Sequence, residues 1–276
     1  MADILMTMRT IIRMGMGTAI LTPTAMTTIT VMITGIHIPT LIPILTDPAM
    51  ATTLTAEAVA YRLMTWLSSS YPLGSFSYSH GLEYAVEEGL VWDRDSLVRW
   101  VSFVIETGAG RVDAALFAAS WRAVKRDDFP KFLEIAELAD AWRGTAETAL
   151  EAQAQGTAFL MATRAAWPHE IFDRLPQRIA LPVVVGAACA AHGLPLEASL
   201  TAYLHAFAGT IVSAGVKLIP LGQTDGQRTI AALESVILET GTSALTEELD
   251  EVGSSAVMVD WCSMRHETQY TRLFRS

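Results

Sequence analysis

Ala146-Glu-Thr-Ala-Leu-Glu-Ala-Gln-Ala-Gln-Gly-Thr-Ala-Phe-Leu-Met-Ala-Thr-Arg-Ala-Ala166 is the run whose reading decides the fold. It is long and rich in the strongest helix former, and Pro168 stops it by removing a backbone donor. The segments on either side carry the same signature. Ala56, Val59, Ala60, Leu63 and Leu67 fall on one face at helical spacing until residues 68–72 break the pattern. A second helix places Leu82, Ala85 and Val86 inward and ends near Gly89. Asp93 and Asp95 suit the cap of a helix running to about Glu106, with Leu97, Trp100, Val101 and Val104 as its apolar stripe. Residues 114–124 and 130–144 read likewise, the second with Pro130 in its opening turn and Gly144 at its end. Downstream, 178–191, 195–213, 225–239 and 243–251 complete the series. β-Branched alternation is nearly absent after Met50. Such helices with short connections predict an all-α, single-domain bundle of roughly nine or ten helices. The Ala and Gly content of 179–193 and 206–216 predicts close helix–helix approach in a buried layer.

The chain carries 29 acidic against 19 basic residues, a formal charge of −10, and is 51% apolar. It holds enough apolar material for a sizeable core, and it has no Lys/Arg stripe of the kind that binds nucleic acid. Its two cysteines, Cys189 and Cys262, lie far apart and read as free thiols in a reducing cytoplasm. Residues 1–49 differ from the rest. Their only charges are Asp3, Arg9, Arg13 and Asp47, and Met, Ile and Thr are interrupted by Gly17, Pro23, Gly35, Pro39 and Pro43. The charge-free stretch raises a transmembrane reading, a membrane-tethered helical adaptor held by residues 14–46. Recurrent Thr, the prolines and the lack of aromatic or basic interface anchors argue against a span. No compact apolar region leads to a cleavage site either. The Met-Thr repeats match His and Asp codons read one base out of frame. The expectation is therefore a mis-assigned or disordered extension over 1–49, with the domain proper at 50–276 and initiation at Met50.

Three constellations invite chemistry. In Ser69-Ser-Tyr-Pro-Leu-Gly-Ser-Phe-Ser-Tyr-Ser-His-Gly-Leu-Glu83, Pro72 and Gly74 set a turn, and Ser75 or Ser77 is expected to cap the next helix. Hydroxyls around His80 suggest a nucleophile and base, but Gly-x-Ser-x-Gly is absent, which favours a structural turn with a contact surface. In Val216-Lys-Leu-Ile-Pro-Leu-Gly-Gln-Thr-Asp-Gly-Gln-Arg228, the glycine spacing does not make a P-loop, and Thr224 or Asp225 is expected to cap a helix. Lys217, between two apolar runs, either snorkels to the surface or serves an interface. Cys189 with His192, and Cys262 with His266, have helical ligand spacing and a donor set suited to Ni²⁺ or Zn²⁺, though two ligands do not close a site.

The tail, Arg265-His-Glu-Thr-Gln-Tyr-Thr-Arg-Leu-Phe-Arg-Ser276, sets Arg265, Arg272 and Arg275 against the single acid Glu267. Tyr270, Leu273 and Phe274 are spaced as one face of a helical turn. Chain ends fray unless tied down, so these groups either fold onto the chain's own core or form a partner-binding peptide with apolar anchors and Arg forks.

Together, the stretches 74–83, 217–228 and 265–276 resemble the urease accessory protein UreF family, and the resemblance runs from about Leu63 to Ser276. It implies an all-α, homodimeric cytoplasmic protein without enzymatic turnover. Such a protein works with the GTPase UreG and the scaffold UreD (also called UreH), coupling GTP hydrolysis to delivery of nickel into apo-urease. Nickel is then the delivered metal and not a stably bound cofactor, and neither nucleic acid nor membrane is a partner. Carried over by motif, the family's Arg-Leu-Phe arginine falls on Arg272, the preceding tyrosine on Tyr270 and the helix-opening tyrosine on Tyr78. Lys217 takes a position linked to GTPase gating. With Arg265, Leu273, Phe274 and Arg275, these are the expected partner-binding residues. Docking is expected ahead of an arginine-finger role. The resemblance also supports the frame reading, because the preceding gene in such operons often encodes a nickel-binding accessory protein with a His-rich tail. The competing class is a helical hydrolase using a Ser/His or Cys/His site.

Overall fold

In the computed structural model, which describes residues 54–276, four of the helices begin on a side-chain cap. α1 (Ala56–Trp66) opens with Thr55 Oγ1 accepting from the Ala58 N–H. α2 (Leu82–Glu87) is short and follows a 3₁₀ turn at Ser75–Ser77. α3 (Arg94–Thr107) opens on a reciprocal cap between Asp93 and Ser96, and α4 (Ala109–Lys125) follows after Gly108. Asp128 caps α5 (Phe129–Ala141), with Pro130 in its first turn, and Thr145 with Thr148 caps α6 (Ala146–Ala166). A single turn, α7 (Ile171–Arg174), leads to α8 (Leu181–Ala191) and the long α9 (Leu196–Leu218). α10 (Gln223–Ala232), α11 (Glu234–Ala244), a 3₁₀ turn at Leu249–Glu251 and α12 (Val257–His266) finish the chain.

The all-α bundle expected from the sequence is the observed architecture, and Ala51–Ser276 forms one compact unit. Its middle is the pairing of α4 with α8, where small residues let backbones meet. A Cβ at Gly186 would stand 2.3 Å from Ser120 Oγ and 2.5 Å from the Phe117 carbonyl oxygen, so nothing larger than glycine fits there unchanged. Gly156 on α6 lies equally close to the chain leading into α8, with the Ile179 carbonyl oxygen 2.0 Å from a would-be Cβ. Around these contacts Trp66, Phe117, Phe132, Phe159 and Phe172 are fully buried, each worth about 1.5–3 kcal/mol of transfer free energy.

Three details differ from the sequence reading. The expected helix over 225–239 breaks at Leu233 into α10 and α11, and its cap is Gly222 and not Thr224 or Asp225. The expected helix over 243–251 is only the 3₁₀ turn at Leu249–Glu251. α12 has no counterpart in the sequence reading, because it buries Val259, Cys262, Ser263 and His266 while exposing Val257, Met258, Trp261 and Met264, so apolar groups lie on both faces and no amphipathic stripe stands out. Among the described residues, one helix, Leu196–Leu218, is long and apolar enough to cross a membrane, and half of that stretch is buried inside the protein. The expectations for 1–49, mis-assigned start and membrane tether alike, lie outside the described residues.

Candidate docking site at the C-terminal segment

The turn before α2 begins the site. His80 and Gly81 both adopt left-handed backbone, at φ 56° and 75°. Gly81 is required twice over, because a Cβ there would also lie 3.0 Å from the backbone nitrogen of Ser263 on α12. This close approach brings Glu83, on the first turn of α2, against the end of α12. There His266 is fully buried, with Nε2 3.0 Å from Glu83 Oε2 and Nδ1 2.8 Å from Glu147 Oε2 on α6. A neutral ring offers a single N–H, so meeting both carboxylates places one further proton in the cluster. Burial raises the Glu147 carboxyl from its ordinary value, against the lowering effect of His266 and Arg272.

The same carboxylates seize the tail. Glu83 accepts the backbone N–H of Leu273 at 2.6 Å and of Phe274 at 2.8 Å, and Glu147 accepts Arg272 Nη1 at 3.0 Å. Arg275 N–H donates to the Ser77 carbonyl at 2.7 Å. The Ser276 carbonyl accepts from the Ser79 N–H at 2.8 Å and from its hydroxyl, while Ser276 Oγ donates to Glu151 Oε2 at 2.7 Å. Phe274 is buried, with Lys217 Nζ 5.5 Å from its ring centroid. Tyr78 is buried too, and burial pushes its phenol upward despite the Arg275 guanidinium over its ring.

Of the expected partner-binding residues, the structure thus gathers all eight around one end of the bundle but divides their duties. Tyr78 and Phe274 turn inward and fasten the tail, so neither offers a contact surface while it is docked. Arg265, Tyr270, Arg272, Leu273 and Arg275 face out, with Arg265 Nε 3.3 Å from the Tyr84 hydroxyl. Tyr270 is completely exposed and Leu273 is 67% exposed. The helical turn expected over the tail is replaced by an irregular, bent segment, because its backbone donors bond to Glu83 and Ser77 instead of to each other. Neighbouring Val257, Met258, Trp261 and Met264 extend the outward apolar area along α12.

The other candidates dissolve. His266 is spent between two carboxylates and does not pair with Cys262, whose thiol burial pushes up to about 11. Burial likewise raises the Cys189 thiol to about 12. His192 is lowered to about 4, first by burial and then by Arg62 and His169, and its Nε2 sits 3.2 Å from the Trp167 carbonyl. Among the described residues no three His, Cys, Asp or Glu side chains are placed to hold a metal. Ser77 Oγ bonds to the Gly74 carbonyl and Ser79 Oγ to Ser276, while His80 Nδ1 lies 3.6 Å from Glu151, so the Ser/His hydrolase pairing is not assembled. Ser79, and not Ser75 or Ser77, serves α2, accepting from the Glu83 N–H at 3.3 Å. Glu83, Glu147 and Glu151 went unnoticed in the sequence. A signal existed, since Glu147, Glu151 and Gln155 recur every fourth residue of α6 and are all buried.

In class the molecule is a helical bundle that fastens its tail to its core and turns arginines and apolar groups outward. The family model for UreF matches residues 91–234. A urease accessory protein UreF of Granulibacter bethesdensis is 50% identical over 234 residues, covering 83% of this chain and 99% of the relative. One from Rhodopseudomonas palustris is 48% identical, covering 83% and 97%, and a UreF 1 of Brucella canis is 46% identical, covering 85% and 98%. The chain belongs to the UreF family of urease accessory proteins. It is accordingly an accessory protein in urease maturation and not an enzyme.

Proposed function

We propose that this chain is the adaptor of a nickel-insertion complex, acting in the cytoplasm as a homodimer with the GTPase UreG and the scaffold UreD/UreH on apo-urease. Nickel is the cargo. The observation that carries the reading is the division of the tail, whose backbone is pinned by Glu83 while Tyr270, Arg272 and Leu273 face out. Pinning removes most of the ordering entropy that a loose peptide loses on binding, so the outward groups meet a partner already arranged. The exposed arginines match carboxylate-rimmed apolar surfaces. Coupling follows if the adaptor binds one nucleotide state of UreG more tightly than the other, because that difference shifts UreG's population. We assign Lys217 to that contact, a reading supported by its exposure on α9 beside Phe274. Arg272 suits docking better than an arginine finger, since its guanidinium is already paired with Glu147.

The test is activation of apo-urease by nickel and GTP in the presence of UreG and UreD/UreH. The full chain supports activation, and a chain lacking residues 269–276 retains its helical circular dichroism but does not. Undiminished activation by the truncated chain overturns the proposal.

A further inference from the structure

We draw no further inference here: the strongest candidate, the cavity of about 610 Å³ between α9, α10 and residues 67–76 with Glu151 and Lys217 on its wall, carries nothing, because nothing in the structure shows what fills it and none of its lining side chains is a buried polar group without a partner.

Discussion

Replacing Glu83 with glutamine tests the anchoring of the tail with almost no change in shape. The native carboxyl group accepts the Leu273 and Phe274 amides, donors at 2.6 and 2.8 Å, and faces His266 Nε2 at 3.0 Å. Glutamine supplies one carbonyl oxygen, and its NH₂ must face one of those donors. One charge-assisted hydrogen bond, worth about 1.5–3 kcal/mol, is lost outright, and the other loses its charge. Docking of the tail therefore weakens by about 3 kcal/mol, or roughly 10²-fold at 1.4 kcal/mol per tenfold. His266 keeps Glu147, so α12 stays in place. Native-state hydrogen exchange read by mass spectrometry is the assay. The peptide spanning 270–276 loses about 10²-fold of its protection, while one from α3 is unchanged. Unaltered protection of 270–276 refutes the anchoring role of Glu83, and equal loss in both peptides refutes its local character.

Gly186→Ala forces a methyl against the Phe117 carbonyl, costing about 1–3 kcal/mol, so Tm falls by several degrees at roughly 2–4 °C per kcal/mol. Gly209→Ala, whose Cβ meets open space on α9, leaves Tm level or slightly raised. Arg143→Met strands Asp113, which its guanidinium meets at 2.8 Å in a site almost closed to solvent, and denaturant unfolding shows a loss of about 3–5 kcal/mol. Adding Asp113→Asn recovers most of that loss, since the Tyr203 hydroxyl still has an oxygen to meet. His192 is neutral in the fold down to about pH 4, whereas the unfolded ring takes its proton near the ordinary value of 6.5. The unfolded state therefore binds more protons between those values, and stability falls as pH drops through that window. Tm of the His192→Gln chain declines less between pH 7 and 4.5 than that of the native chain, and parallel declines would discount this account.

Helix ends with local causes were legible, as at the Asp93 cap of α3 and at Pro130 in the opening turn of α5. So was the small-residue layer at Gly186 and Gly215, because close approach follows from side-chain size. What escaped depends on distant partners. α12 hides His266 because Glu83 and Glu147 wait for it 183 and 119 residues upstream, and no local periodicity reports that. The tail's apolar spacing suggested a helical turn, yet its amides had better acceptors in Glu83 and Ser77. The two alternatives for the tail also proved separable by residue, with Phe274 packing inside and Tyr270 and Leu273 left outside. Among the described residues neither Cys–His pair gains a third donor.

Binding of the purified chain to the UreD/UreH scaffold, with and without UreG, tests the outward face of the tail most directly. Leu273→Asp and Tyr270→Asp change side chains that are largely or wholly exposed, so the bundle's Tm should hold within a few degrees. Central interface groups typically contribute about 2 kcal/mol or more, so each variant should weaken Kd at least about thirtyfold. A Kd unchanged in both variants, measured on folded protein, would contradict the docking role of this face.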